Sequence, residues 1–356
     1  MSRTLRPLLT AATAAAFAAL SPLASAAPVP VSPTGATSVP AVEVPSSALM
    51  SEAGNASRVE HILLKRSFKG RSTDELYRGV FGPGLERTKA AFPQVGIRKD
   101  TIGGVPVLIY EPKGGVSPTK DKLLLINVHG GGFTACFAEC GGMESIPIAA
   151  LTGIKVISID YREGPQHHYP EATEDVVAVY RQVLKTVSPK HLGLFGCSAG
   201  GLLTTQSLAW FSRHGLPSPA AAGVYCAGGD ASMGGDSRII GNLLGDGEAP
   251  DPAPRGDAGL GYMAGASPSD PEAYPARDAS VLGKFPPTLV VTGTRDFAMS
   301  SAVNLHSKLV AAGVDAHLHV WEGGRHAFFY DERVPEAREA YKVMATFFEE
   351  KLKDRR

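Results

Sequence analysis

Cysteine is scarce, with 4 in 356 residues, too few for a disulfide framework to hold a chain of this size, so a buried apolar core has to do so. Net charge is missing too: 35 Lys and Arg face 35 Asp and Glu. Without a basic field nothing gathers phosphates or anionic lipid, which argues against a nucleic-acid partner. The apolar run from Leu8 to Leu20 falls short of the ~20 residues that span a bilayer, so no stable membrane anchor is expected. Glycine (40) and proline (27) are plentiful but below the ~25–30% that marks low-complexity chains, and no internal repeat occurs. What remains is ordinary globular usage, 44% hydrophobic and 20% charged, in one large domain or two smaller ones. A small, neutral or mixed substrate suits such a surface.

The first residues read as a targeting segment. Arg3 and Arg6 precede the apolar run, and Ala24-Ser25-Ala26 forms a small-x-small cleavage pattern. Residues 1–26 are therefore expected to be a signal peptide, with a periplasmic or secreted mature protein, and 27–47 an extended Pro/Val/Ser/Thr/Ala linker. Cleavage after Ala26 removes Arg3 and Arg6 and shifts the balance from 0 to −2. Export would place Cys136, Cys140, Cys197 and Cys226 under oxidising conditions. One helical turn in CFAEC brings Cys136 and Cys140 within pairing reach, with two separate half-buried thiols as the alternative.

From residue 94 onward, short apolar runs alternate with helical patterns. Strands are expected at 94–101, 104–110, 122–128, 154–159, 191–195, 221–227, 288–293 and 315–321. The first two meet across Gly103-Gly104 as a hairpin, and the rest are spaced for right-handed crossovers in a parallel sheet. KLLLINV, IKVISID and PTLVVTG are nearly unbroken apolar runs, as strands covered on both faces are. Helices are expected at 169–187, 199–213, 300–312 and 335–352. Two stretches break the alternation: 48–92, helical in period, and 230–276, rich in Gly, Pro and Asp. Segments of that length serve better as parts of a cap over a site than as bare loops.

The chemistry centres on Gly196-Cys197-Ser198-Ala199-Gly200-Gly201, which follows the strand HLGLF and opens a helix. This is the G-x-S-x-G nucleophile elbow in its required setting. Its glycines clear space around a strained turn that lifts Ser198 to the top of the sheet, at a helix N-terminus where negative charge is stabilised. Cys197 competes as the better intrinsic nucleophile. Counting two residues either side of it gives Phe195 and Ala199, while the same count from Ser198 gives Gly196 and Gly200. Ser198 is therefore the nucleophile, with Cys197 packed beneath it.

His129-Gly130-Gly131-Gly132-Phe133 follows the strand LLLINV. Amides of Gly130, Gly131 and Gly132, with that of Ala199, are the candidate oxyanion donors, and His129 is expected to anchor the loop. Asp296 lies just past PTLVVTG and His326 just past HLHVW, both at strand carboxyl ends where open α/β sheets gather their sites. In the order Ser, acid, His, they would hold and work the imidazole that takes the Ser198 proton. Asp278, Glu322 and Asp331 are the fallback acids. Tyr262, Met263, Phe297, Met299, Phe328 and Phe329 are candidates for an acyl pocket, with core packing the default for each. His167-His168 and His317-x-His319 give poor metal geometry, and neither metal nor cofactor is expected.

With HGGGF at 129–133, DYR at 160–162, PEATED at 170–175, GCSAGG at 196–201, Asp296 and His326 in order, the chain resembles the bacterial hormone-sensitive-lipase-like (family IV) esterases of the α/β-hydrolase superfamily. That resemblance implies an eight-stranded, mostly parallel sheet flanked by helices, with a cap built from the N-terminal segment and an insertion after the sixth strand. It implies an oxyanion hole of Gly131, Gly132 and Ala199, and a loop braced by Asp160 and Arg162. Cys197 departs from the family's Asp or Thr. The expected activity is hydrolysis of small to medium acyl esters through an acyl-enzyme. Lactones, acetylated sugars and xenobiotic esters are alternative substrates, and a peptidase or a non-catalytic binding protein is a rival role. Whether the chain forms a homodimer is open at this level.

Overall fold

The computed structural model describes residues 29–38, 41–231, 234–248 and 261–353. The expected signal peptide therefore lies outside the described residues. The chain divides into Met1–Pro45 and Ser46–Arg356. In the first unit the described residues are exposed and make one isolated bridge, Val31 to Thr37.

Eight strands form one sheet in the second unit: β1 (Val95–Ile102), β2 (Val105–Pro112), β3 (Leu124–Val128), β4 (Lys155–Ile159), β5 (Leu192–Cys197), β6 (Ala221–Tyr225), β7 (Thr288–Arg295) and β8 (Ala316–Arg325). Their order is β1-β2-β4-β3-β5-β6-β7-β8. The β1–β2 and β2–β4 pairs are antiparallel, and every pair from β4–β3 to β7–β8 is parallel. All eight expected strands are present, with ends shifted by a few residues. Gly103 (φ +63°) and Gly104 (φ +85°) close the β1–β2 hairpin, both in the left-handed region that two-residue hairpin turns require.

Each central strand is buried on both faces, and its alternation decides which core it feeds. Leu124, Ile126 and Val128 of β3 join the apolar cluster on one side of the sheet, while Leu125 joins the other. The first cluster is closed by α4 (Glu171–Val183), α5 (Ala199–Arg213) and α8 (Met299–Ala311), and the second by α3 (Phe137–Thr152) and α9 (Pro335–Lys351). At roughly 25 cal/mol per Å² of apolar area removed from water, these two layers dominate the fold's stability.

The irregular segment 48–92 forms α1 (Glu52–Ser67) and α2 (Thr73–Ala91). Ser51 caps α1 by accepting the Gly54 N–H, and Ser72 with Glu75 forms a reciprocal capping box on α2. The insertion after β6 contributes the short α6 (Ser237–Gly241), and α7 (Ala279–Leu282) follows it before β7. No helix among the described residues is long and apolar enough to cross a membrane.

Candidate active site

The turn from β5 into α5 holds Ser198 at φ +57°, ψ −120°, a backbone region that L-residues occupy only under constraint. The constraint is close packing at the flanking glycines. A Cβ on Gly196 would sit 2.1 Å from the Val128 carbonyl oxygen, and one on Gly200 1.8 Å from the same atom. The Ser198 N–H donates to the Tyr225 carbonyl (2.8 Å), locking the turn to β6. Ser198 is half-buried while Cys197 is fully buried, and burial pushes the Cys197 thiol up and so keeps it protonated.

The candidate acid and base converge on that hydroxyl. His326 Nε2 lies 2.9 Å from Ser198 Oγ, and His326 Nδ1 lies 2.7 Å from Asp296 Oδ1. Asp296 is fully buried and receives two further bonds, from the Ala298 N–H (2.8 Å) and the Thr292 hydroxyl (2.9 Å). Burial pushes its carboxyl up, but the His326 imidazole and these donors outweigh that and hold it below its ordinary value. The Phe297 ring stacks on His326 with centroids 4.1 Å apart. The fallback acids are engaged elsewhere. Asp278 caps α7, Glu322 accepts from Ser47 and Thr294, and Asp331 binds Arg333 and Ser57.

Gly131, Gly132, Ser198 and Ala199 line one cavity. Gly131 has φ +122°, and a Cβ there would strike the Ala135 carbonyl at 1.8 Å, so only glycine fits. Ala199 opens α5, whose first backbone hydrogen bond is Leu202 N–H to Ser198 carbonyl, leaving the Ala199 N–H without a helical acceptor. Gly130 requires a correction. Its N–H donates to Glu144 Oε1 (2.9 Å), and Gly130 is absent from the cavity wall, so this amide is not available to an oxyanion. His129 is fully buried, stacked on Tyr161 at 4.3 Å with Nδ1 2.6 Å from the Gly130 carbonyl, and burial holds its pKa down to about 4. It anchors the loop and carries no charge at neutral pH.

Glu144, from α3, is a residue that sequence reasoning passed over. Its buried carboxylate accepts from Asn127 Nδ2 (2.8 Å), Gly130 N–H (2.9 Å), Cys197 N–H (3.2 Å) and the Tyr330 hydroxyl. One side chain thus ties the HGGG loop to the nucleophile elbow and to the segment after His326. Burial pushes this carboxyl up to about 7 against the pull of its donors. Nothing in the sequence singles out Glu144 among 35 acidic residues.

The cavity measures about 240 Å³. Its outer wall comes from the N-terminal helices: His61 and Lys65 of α1, with Leu76, Tyr77, Val80 and Phe81 of α2. Among the six aromatic and methionine candidates only Phe297 lines it. Tyr262 stacks on Phe133 at 4.3 Å, and Met263, Phe328 and Phe329 lie in the core. Cys136 and Cys140 form a disulfide, with Cys140 beside the cavity. The expected brace of the neighbouring loop is carried by Arg162, which binds Glu171, Glu174 and Asp175. The Asp160 carboxyl makes no hydrogen bond among the described residues.

This fold and site define an α/β hydrolase, and the chain belongs to that family: residues 125–330 match the family described as alpha/beta hydrolase fold. Within it the chain sides with the esterases of the bacterial hormone-sensitive lipase type. A solved esterase from the bacterial hormone-sensitive lipase (HSL) family superposes with a TM-score of 0.74 at 26% identity, covering 85% of this chain and 99% of that one. An acetyl-hydrolase of Streptomyces hygroscopicus is 28% identical over 269 residues, 74% of this chain and 86% of its own length. An esterase of Acinetobacter venetianus is 26% identical over 290 residues, 80% and 93% of the two chains. The protein is a serine carboxylic-ester hydrolase, and its substrates are small-molecule esters.

Proposed function

We propose that Ser198 attacks the carbonyl of short acyl esters, with His326 as general base and then general acid, and Asp296 fixing the imidazole tautomer. The observation that carries this is the unbroken contact from Asp296 Oδ1 through His326 to Ser198 Oγ, 2.7 and 2.9 Å, at the wall of a partly open cavity. The Ser198 proton passes to His326 Nε2 as the tetrahedral intermediate forms, and the amides of Gly131, Gly132 and Ala199 receive its oxyanion. Collapse expels the alcohol, protonated by His326, and water repeats the sequence to release the acid. No cofactor takes part in this reading.

A cavity of about 240 Å³ lies below the ~300–1,000 Å³ of drug-sized ligand sites, which favours short chains. Acetyl transfer to water also fits the likeness to the acetyl-hydrolase of Streptomyces hygroscopicus. Across p-nitrophenyl esters of rising chain length, kcat/KM is expected to peak at acetate to hexanoate and to fall by about 100-fold at laurate, because a chain longer than the cavity is seated only by displacing packed side chains of its wall, at a cost of roughly 1–3 kcal/mol. A maximum at laurate contradicts the short-chain reading.

We also propose that the chain is exported, with residues 1–26 as its signal. The Cys136–Cys140 disulfide supports this, because such bonds persist under oxidising conditions. Mass spectrometry of the periplasmic or secreted product is expected to find a chain beginning at Ala27; an intact Met1 chain confined to the cytoplasm refutes it.

A further inference from the structure

Arg325 stands immediately before His326 and lines the same cavity. It is only 7% exposed, yet its sole hydrogen bond among the described residues runs from Nη1 to the His326 carbonyl (2.6 Å). A guanidinium carries five N–H donors, and burying it without an acid of its own costs more than a core arginine ordinarily tolerates. The acids within electrostatic reach are each held by another cation. Asp246 pairs with Lys65 (3.1 Å), and Asp331 pairs with Arg333. Lys65 lines the cavity too, and His61 beside it has its pKa pushed well below its ordinary value by burial and by the charges of Arg325 and Lys65. The imidazole of His61 is therefore neutral, and the positive charge at this end of the cavity belongs to Arg325, with Lys65 largely spent on Asp246 and Glu248. The same cavity is lined by the apolar Leu76, Val80, Phe81 and Leu202, and its two carboxylates, Asp230 and Asp246, are each paired with another cation, Arg277 and Lys65.

From this arrangement we infer that the enzyme selects esters bearing a carboxylate a few bonds from the scissile carbonyl, the carboxylate seated on the Arg325 guanidinium and the intervening methylenes on the apolar wall. The planar fork suits a carboxylate, and the pairing is strong because it forms out of water. The inference rests on the ester-hydrolase reading and narrows its substrate class.

Two substrate pairs test it, each exchanging the carboxylate for an isopropyl group of similar shape. Monoethyl glutarate against ethyl 5-methylhexanoate places the charge on the acyl side, and acetoxyacetate against isobutyl acetate places it on the alcohol side. The wild-type chain is expected to favour the charged member of at least one pair by about tenfold or more in kcat/KM. In Arg325→Met that ratio is expected to fall by about 10- to 100-fold, and in Arg325→Lys by less. Using the ratio cancels any general loss of activity. Calorimetric titration of glutarate into the Ser198→Ala chain, with and without Arg325→Met, reads the same contact without turnover. No preference in either pair, or a ratio and a glutarate affinity unmoved by Arg325→Met, overturns the inference. Failure to hydrolyse any ester would instead count against the reading of the site, leaving the glutarate titration to decide the role of Arg325.

Discussion

Exchanging Ser198 for alanine is expected to lower kcat on p-nitrophenyl butyrate by roughly 10⁴- to 10⁶-fold, since the residual rate then comes only from binding and the oxyanion donors. Exchanging Cys197 for alanine is expected to keep most of the activity. The two residues are neighbours, but the elbow presents only one of them to the cavity. Ser198 lines the cavity within 2.9 Å of His326 Nε2, whereas the Cys197 side chain has no exposure and its thiol is held protonated. The contact that Cys197 makes with Glu144 uses its backbone N–H, which alanine retains. Steady-state kinetics on both variants decide the matter, and a dead Cys197→Ala chain beside an active Ser198→Ala chain would reverse the assignment.

Glu144→Ala is expected to be nearly as damaging by a different route. Removing the carboxylate strands two backbone N–H groups, an amide and a hydroxyl in a dry interior, and each unpaired buried donor costs about 1–3 kcal/mol. The expected result is a fall in melting temperature of more than 5 °C together with at least a tenfold loss of kcat, because the loop of Gly131 and Gly132 and the elbow lose their common tether. Glu144→Gln keeps one carbonyl acceptor and should fall between. Stability against pH supplies a second reading. The folded carboxyl titrates at about 7 and the ordinary value is 4.5, so the native state binds the extra proton between them. Stability from this group is therefore complete below about 4.5 and lost as pH rises toward 7, a slope the Gln variant lacks. Wild-type melting and kcat in Glu144→Ala would refute the tethering role.

Much of the frame was legible in the amino-acid order because burial on both faces writes a simple pattern. LLINV and KVISI are strands for that reason, and the elbow is readable because two glycines must flank its apex. Helix α3 was missed for the complementary reason. It carries Gly141, Gly142 and Pro147 and is buried nearly all round, so no amphipathic stripe marks it. The stretch 48–92, marked as cap by its length and helical period, does supply the wall through α1 and α2, but which of its side chains face the substrate is not written in that period, and of the aromatic and methionine candidates only Phe297 lines the cavity. Gly130 was counted among the oxyanion donors because nothing in HGGGF tells that a carboxylate 14 residues on takes its N–H. Sequence names the charged residues but cannot say which of them, like Glu144 and Arg325, end up out of water.

The hydrogen bonds of α1 have a bearing on synthesis. Ser51 binds Glu336, Ser57 binds Asp331, and Glu60 binds Arg333, so the first helix of the folded unit is fastened to the segment just past His326. These closures span more than 270 residues of chain, and loops of that length are among the slowest contacts to form. A ribosome that has made every strand through β7 has still not made the base or its clasp. The nascent chain consequently lacks its general base until β8 is out, and α1, made first, gains its clasp only once residues 331–336 follow.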